Sequence, residues 1–321
     1  MEGIKEPVYE YYSDVKNKDI KWLWYPFIPY GKITLVQGDP GEGKSTFMLN
    51  LAAILTTGRK LPDGTSIPHP IKVIYQCSED DAADTIKPRL LSAGADCSKV
   101  AYILDETGEL NLEDERIETA IRETGAGMLI LDPLQSFLVQ DSDMRSAGRM
   151  RAVLSKLSLI AAKYNCAIVL IGHMNKSSNK NLYRGLGSID IAAIARSVIM
   201  VARDADIPSR RYAFTIKSNL APEGAAVGFT MEPHEGFKWI EHIEVNIETS
   251  AVHSYTVDNK KGTAADVLSE ALKDGPMYSK DIMELIEVEG ISKRTLYTVK
   301  KQLGVVSYKD EGKWFWALPD K

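Results

Sequence analysis

The segment Gly38–Ser45 constrains the fold of this chain more than any other stretch of the sequence. It reads Gly-Asp-Pro-Gly-Glu-Gly-Lys-Ser and fits G-x-x-x-x-G-K-[ST], the pattern of phosphate-binding loops. Glycines let several backbone N–H groups turn toward one anion, and a helix that begins at the end of the loop directs its positive dipole end at that anion. A β-branched strand, Ile33–Gln37, precedes the loop, and an apolar helix from Thr46 follows it. This order predicts a nucleoside triphosphate site in an α/β domain rather than a chance glycine-rich turn.

The phosphate loop assigns candidate roles to individual side chains. Lys44 is predicted to reach the β- and γ-phosphates, and the Ser45 hydroxyl to hold Mg²⁺. Asp132 ends the apolar stretch Met128–Leu131 and is the expected second magnesium group, acting through water. An acid at a strand end can instead cap a helix, but the phosphate loop upstream favours the metal role. The predicted nucleotide-binding residues are Gly38, Asp39, Pro40, Gly41, Glu42, Gly43, Lys44, Ser45 and Thr46.

Three consecutive acids, Glu79, Asp80 and Asp81, follow the second predicted strand. Open α/β sheets bind ligands at the carboxyl ends of their strands, so a carboxylate here could orient the water that attacks the γ-phosphate. Glu79 is the preferred candidate, although its two neighbours compete for the role and at least one acid could simply compensate a helix N-terminus. His173 ends another buried strand and could sense the γ-phosphate, although a lone histidine is more often structural.

Strands alternate with helices along most of the chain, which predicts a mostly parallel twisted sheet covered on both faces. Late strands without intervening helices predict an antiparallel edge. The predicted units are a polar arm at 1–19, an ATPase domain at 20–250, a linker at 251–262 and a small domain at 263–321. Short helices followed by a hairpin make that last unit similar to a winged helix. The aromatic segment 20–31 is expected to pack on the sheet edge, with contact to a base or a neighbouring subunit as the alternative.

Composition excludes some classes of protein. The chain has 321 residues and a net charge of −5, so any contact with nucleic acid must come from local clusters of cations. Cys77, Cys97 and Cys166 have no metal or redox spacing, which indicates reduced thiols in an intracellular protein. The charged N-terminus is unlike a signal peptide, and no apolar run reaches the roughly 18 residues of a membrane span. We therefore expect a cytoplasmic protein.

Five motifs together resemble the RecA-like ATPases of the RepA/DnaB group, over roughly residues 20–245. The nearest type is the RepA-like hexameric replicative helicase of plasmids, phages and mobile elements. The resemblance implies a RecA-like core that uses ATP and Mg²⁺, a ring of usually six subunits with ATP between neighbours, Glu79 as the catalytic carboxylate and His173 as a switch toward DNA. The motifs are Gly38–Thr46, Ser78–Asp80, Leu131–Pro133, Gly172–Lys176 and Gly187–Ser197.

The same resemblance implies that a neighbouring subunit supplies a cation to the transition state. Arg196 and Lys217 match the family positions for this role. Related helicases often carry Lys-x-Arg at the second position, whereas Asn219 replaces that arginine here. A structural alternative for Arg196 is a helix-end residue that binds carbonyl groups.

DNA contacts are expected at three places. The resemblance directs the loops 139–149 and 174–185 toward the centre of a ring, although both could be solvated loops. The second loop carries Lys176, Lys180 and Arg184, a composition suited to single-stranded DNA. In the small domain, a basic helix predicts contact with duplex DNA, while its near-neutral surroundings keep a protein partner open. The cations of that helix are Lys293, Arg294, Lys300 and Lys301.

The sequence thus favours a DNA motor ATPase with helicase activity. Two other functions remain open. One is an ATPase that remodels or loads other proteins, or assists recombination, without unwinding DNA. The other is an ATP-gated DNA-binding regulator.

Overall fold

The computed structural model describes most of the chain, with gaps that include both predicted DNA loops and the linker. No helix within these ranges is long and apolar enough to cross a membrane. The described residues are 9, 11–104, 110–138, 147–173, 188–204, 207–222, 226–232, 236–240, 264–265, 267–273, 275–288, 291, 293–310 and 313–319.

A nine-stranded sheet forms the centre of the α/β domain. Its order is β11-β10-β9-β8-β3-β7-β6-β4-β5. Within this order, the six strands from β8 to β5 run parallel to one another. Strands β8 to β11 pair antiparallel, which confirms the predicted antiparallel edge. The strands are β3 (Ile33–Gly38), β4 (Val73–Cys77), β5 (Val100–Ala101), β6 (Met128–Asp132), β7 (Ala167–His173), β8 (Ser197–Arg203), β9 (Arg210–Ser218), β10 (Ala226–Glu232) and β11 (Gly236–Ile240).

Helices cover both faces of this sheet, as the alternating pattern predicts. One apolar core lies between the sheet and α1 with α2, and a second lies between the opposite face and α3 with α4 and α5. The helices are α1 (Lys44–Thr57), α2 (Lys87–Ser92), α3 (Glu115–Thr124), α4 (Ala147–Tyr164) and α5 (Ser188–Ile194). Because α1 is apolar almost all round, it is buried along most of its length.

Two predicted elements differ in detail from the structure. The helix expected from Ala82 begins with a π-helical turn, Ala82–Ile86, before α2. The strand expected at Val100–Leu104 ends at Ala101. Beyond that point the Ile103 N–H donates to the Gln76 side-chain Oε1 at 2.7 Å instead of joining the strand ladder, so the edge strand stops after two residues.

The aromatic segment before β3 packs on the edge of the sheet, as expected from the sequence. Its two short strands, β1 (Trp22–Trp24) and β2 (Ile28–Pro29), pair antiparallel. The Trp24 ring is fully buried, and its centroid lies 6.2 Å from those of Phe47 in α1 and Trp239 in the edge strand β11. Tyr25, by contrast, is exposed.

The C-terminal residues have their own apolar core and a three-stranded antiparallel sheet. The predicted hairpin is β13 (Val306–Asp310) with β14 (Lys313–Ala317), and β12 (Met277–Tyr278) pairs with the second of these strands. Helices Ser279–Val288 and Lys293–Gln302 occupy the predicted positions, and residues 264–265 and 267–271 are also helical.

Candidate nucleotide-binding site

The phosphate loop follows β3 and leads directly into α1. Gly41 and Gly43 have φ angles of 82° and 86°, a backbone region that L side chains rarely adopt. Gly43 is the residue before the first turn of α1, and within the described residues that helix start has no side-chain cap. The free N–H groups of the first turn therefore remain available to an anion.

Lys44 lies folded over the loop that it belongs to. Its Nζ donates to the carbonyl oxygens of Gly38 and Asp39, each at 2.9 Å, and the residue is 3% exposed. Burial lowers the pKa of Lys44, while the negative charges of Asp132, Asp39, Glu42 and Glu79 oppose that shift. The ammonium group thus lies within the electrostatic range of both predicted carboxylates.

Asp132 lies at the carboxyl end of β6, beside Cys77 of β4, and is almost fully buried. Its Oδ2 accepts a hydrogen bond from the Tyr75 hydroxyl at 2.6 Å, and its carbonyl oxygen accepts from the Ser78 N–H at 3.1 Å. Burial and then Asp132 raise the pKa of Tyr75 well above its usual range, while the nearby Ser45 side chain opposes that rise, so this phenol remains a hydrogen-bond donor.

These oxygen donors suit Mg²⁺. Magnesium prefers hard oxygen ligands and is usually held by one or two carboxylates together with substrate phosphates and water. Ser45 and Asp132 both lie near the Tyr75 hydroxyl, next to a loop that can hold phosphates. Within the described residues, no cluster of three or more histidines, cysteines or acids offers an all-protein metal cage. A site completed by the nucleotide therefore fits the donors present.

The three acids after β4 have different environments. Asp81 caps the π-helical turn by accepting from the N–H groups of Ala83 and Asp84 at 2.7 and 3.0 Å, and these bonds lower its pKa. Asp80 pairs with Arg89 at 2.7 Å. Glu79 is exposed, its carboxylate makes no hydrogen bond or ion pair within the described part of the chain, and it interacts electrostatically with Lys44. Of the three, Glu79 is the carboxylate with no structural partner there.

His173 ends β7 at the position aligned with Gly38 in the parallel ladder. Its backbone is thus placed beside the first glycine of the phosphate loop. The predicted position at the carboxyl edge of the sheet is confirmed, and its role as a switch remains a prediction.

Arg196 and Lys217 lie at the other end of the sheet. Ser197 pairs with Thr34 and Lys217 with Val198, so both cations belong to the edge where β3 begins. Lys217 Nζ donates to the carbonyl oxygens of Ala192, Ala193 and Ala195 at the end of α5. Burial and then the charge of Arg196 lower the pKa of Lys217. The structure does not bring either cation to the phosphate loop of its own chain.

The structural alternative for Arg196 was a side chain that binds carbonyl groups at a helix end. In the structure, Lys217 makes those contacts. The Arg196 backbone N–H donates to the Ile33 carbonyl oxygen at 2.9 Å, and its side chain is exposed.

Two arginines near the phosphate loop escaped the sequence analysis. Arg203, at the end of β8, donates to the Gly41 carbonyl oxygen at 3.4 Å and lies 3.7 Å from the Glu42 carboxylate. Arg211 in β9 is largely buried, and its Cδ would lie 3.4 Å from a Cβ on Gly43. A charged residue closing an apolar strand could have indicated Arg203, whereas nothing in the sequence marks Arg211, which lies inside a strand.

The predicted DNA contacts are described only in the C-terminal residues, because Lys176, Lys180 and Arg184 lie outside the described ranges. Lys293 and Lys301 are exposed. Lys300 instead packs on the fold: its Nζ lies 3.9 Å from the ring centroid of Trp316 and donates to the Ser307 hydroxyl, and burial lowers its pKa. The side chain of Arg294 is also outside the described set.

The curated proteins that this chain resembles include DNA repair proteins named RadA. DNA repair protein RadA of Halalkalibacterium halodurans is 31% identical over 165 residues, which cover 51% of this chain and 32% of that protein. RadA of Listeria monocytogenes is 31% identical over 151 residues, covering 46% of this chain and 28% of that protein. The chain therefore spans about a third of the length of the curated relatives it matches.

Among solved structures, the KaiC-like protein PH0186 of Pyrococcus horikoshii aligns with a TM-score of 0.49 at 20% identity, covering 66% of this chain and 91% of that one. The curated relatives do not single out the RepA-type helicases. The AAA domain family (AAA_25) matches residues 12–179, a span that holds the phosphate loop, Glu79 and Asp132. Because this match covers more than half of the chain, the protein belongs to the AAA domain family.

Proposed function

We propose that this protein is a Mg²⁺-dependent ATPase that acts on DNA. The observation that carries the proposal is the convergence, at one sheet edge, of the phosphate loop, the buried Asp132 and the unpartnered Glu79. A buried lysine on the loop carbonyls can exchange those carbonyls for phosphate oxygens when a nucleotide enters. The DNA-related part of the proposal is supported by relatives named as DNA repair proteins.

In the proposed mechanism, the backbone N–H groups of the loop and the start of α1 bind the phosphates. Mg²⁺, when bound, would neutralise phosphate charge, with Ser45 and Asp132 as the protein groups that hold it. Lys44 offsets charge on the transferred group. Glu79 accepts a proton from the attacking water, because it is the one acid of its run whose carboxylate has no cap or ion pair among the described residues.

The site is completed by a neighbouring subunit in this proposal. Arg196 and Lys217 lie at the sheet edge opposite the loop, so they can reach a nucleotide only on another copy of the chain. A ring, with six subunits as the resemblance implies, places such cations at each interface. Between the two, the exposed side chain of Arg196 is the better candidate, since the Lys217 ammonium is already bound to helix-end carbonyls.

The central test compares ATP turnover by Glu79→Gln and Asp80→Asn, with and without single-stranded DNA. Glu79→Gln should bind ATP normally and lose about 10²- to 10⁴-fold in turnover, the usual contribution of a general base. Asp80→Asn, which disturbs only a pair with Arg89, should remain close to wild type. Unchanged turnover in the first variant and loss in the second would move the role to Asp80.

Subunit mixing tests the interface. A Lys44→Ala chain has a defective loop and an intact edge, and an Arg196→Ala chain has the reverse. Mixed assemblies should regain turnover that neither variant shows alone, because some interfaces then combine an intact loop with an intact Arg196. Failure of any mixture to exceed the separate variants would refute a site shared between subunits.

Two activities fit such an ATPase, and different observations favour them. The motif resemblance favours a RepA-like helicase acting in the replication of a mobile element. The relatives named as DNA repair proteins favour a role in DNA repair, which we propose as that of a recombination or loading factor without unwinding activity. A strand-displacement assay separates them: DNA-stimulated turnover with displaced strands supports the helicase, and turnover without displacement supports the second function.

The C-terminal residues are proposed to form a winged helix that contacts duplex DNA. Their charge is segregated along the chain: residues 263–290 hold two basic and seven acidic side chains, whereas residues 291–319 hold six basic and two acidic ones. The exposed Lys293 and Lys301 belong to the basic half. Charge reversal at both should weaken duplex binding and flatten its salt dependence. Unaltered DNA binding would favour a protein partner.

A further inference from the structure

We propose that the Tyr75 hydroxyl is a positioning group for the magnesium site, which orients the Asp132 carboxylate before the metal arrives. The inference rests on the proposed Mg²⁺-dependent function and adds a residue that no motif identifies. Tyr75 lies inside β4, two residues before Cys77, in a stretch that reads as an ordinary buried strand.

The strand geometry explains why this tyrosine reaches the site. Side chains alternate between the two faces of a strand, so Val73 and Tyr75 share the face that packs against α1. Val73 and the Tyr75 ring contribute to the core on that side. The hydroxyl extends from that core to the carboxyl end of the neighbouring strand β6, where it meets Asp132 Oδ2 at 2.6 Å.

The Tyr75 hydroxyl acts directly on the predicted metal carboxylate. A phenol donates one hydrogen bond, and Tyr75 donates it to Asp132 Oδ2. The same contact fixes the rotation of the carboxylate, and within the described part of the chain it is the one side-chain hydrogen bond that Asp132 receives.

The expected consequence follows from the geometry that magnesium demands. Mg²⁺ requires nearly ideal octahedral coordination, so ligands that must reorient bind it less well. Groups that orient metal ligands typically contribute about 10- to 100-fold in metal affinity or activity. Tyr75 touches neither nucleotide nor reacting atoms in this proposal, so its loss should change the dependence on magnesium rather than nucleotide binding itself.

The test is Tyr75→Phe, which removes one oxygen and keeps the ring in the core. Tyr30→Phe is the control, since Tyr30 is a half-buried tyrosine that precedes β3 at the opposite end of the sheet. Binding of a fluorescent ATP analogue is measured in EDTA and across a Mg²⁺ titration, and turnover is measured across the same titration. Thermal melting monitored by circular dichroism verifies that both variants fold.

We expect Tyr75→Phe to bind the analogue normally in EDTA, to need about 10- to 100-fold more Mg²⁺ for half-maximal turnover, and to recover at high Mg²⁺. Tyr30→Phe should match wild type throughout. A wild-type magnesium dependence in Tyr75→Phe would overturn the inference, and so would a loss of analogue binding in EDTA, which indicates a merely structural role. Turnover of the wild-type protein without any metal would instead refute the proposed function.

A double variant provides an independent route. If Tyr75 acts through Asp132, Tyr75→Phe should add little to the magnesium requirement of Asp132→Asn. Fully additive effects of the two substitutions would show that the tyrosine does not act through this carboxylate.

Discussion

Three glycines of the phosphate loop give a graded prediction, because an added methyl group would meet a different obstacle at each. At Gly41 a Cβ would meet nothing within 4 Å. At Gly43 it would lie 2.6 Å from the Met231 sulfur, the far end of a flexible side chain. At Gly38 it would lie 2.2 Å from the Val201 carbonyl oxygen, which belongs to the backbone of the adjacent strand β8. Alanine substitutions should therefore destabilise the fold in that order.

The magnitudes follow from two separate costs. Gly41→Ala pays only for a side chain at positive φ, about 1–2 kcal/mol. Gly43→Ala adds the displacement of Met231, an overpacking cost of about 1–3 kcal/mol, for a total of roughly 2–5 kcal/mol. Gly38→Ala should exceed both, because a strand backbone cannot rotate away as a methionine can. The pairing of β3 with β8 would have to open at its carboxyl end.

Urea denaturation without nucleotide measures these costs, since a bound ligand would otherwise mask differences in stability. Midpoints should fall from wild type through Gly41→Ala and Gly43→Ala to Gly38→Ala, with similar slopes. A Met231→Ala background provides the internal control: it should remove most of the difference between Gly41→Ala and Gly43→Ala. Equal stability of those two variants in the wild-type background would refute the packing argument.

Three further predictions concern the structure around the site. Trp24→Ala should lower the free energy of unfolding by about 3–5 kcal/mol in urea denaturation, because the ring is fully buried, whereas exposed Tyr25→Ala should cost less than about 0.5 kcal/mol. Asp81→Ala should lower the melting temperature through loss of a helix cap while leaving the KM for ATP and the kcat unchanged, so a large fall in kcat would contradict the assignment of Asp81 as structural. Burial raises the pKa of Cys166 to about 12, so its thiol should resist alkylation in the folded protein. The contribution of this raised pKa to the free energy of unfolding should be complete below the pKa of an unfolded thiol and should decline as pH rises toward 12. A Cys166→Ala variant should show a shallower loss of stability over that alkaline range.

Regular patterns in the sequence predict the fold well because they report local physics. The alternation of apolar strands with amphipathic helices predicts the parallel sheet, and the glycines of the loop predict its turn. The antiparallel edge follows from strands with no helix between them. By contrast, the short β5 could not be predicted, because its end depends on the Gln76 side chain capturing the Ile103 N–H from a strand far away in sequence.

Residues of the candidate site are predictable from the sequence where an acidic residue lies at or just after the carboxyl end of a strand. Asp132 and Glu79 satisfy that condition, and both lie near the loop. Choosing among Glu79, Asp80 and Asp81 required the structure, because adjacent acids differ only in the partners that folding gives them. Tyr75 was not predictable either, because a tyrosine inside an apolar strand is expected to be a core residue. Its hydroxyl contacts Asp132 of the neighbouring strand, which only the fold shows.

The cations at the two ends of the sheet have different surroundings. At the carboxyl end, Arg203 contacts the Gly41 carbonyl and the Glu42 carboxylate. These contacts join the side chain to the loop itself. At the amino end, burial and then the charge of Arg196 lower the pKa of Lys217, and like charges close together are unfavourable in an isolated subunit. An anion from outside the chain would relieve this repulsion. The nucleotide phosphates of a neighbouring subunit are the anion that the proposed interface supplies, so the same contact that completes the site would also strengthen the assembly when ATP is bound.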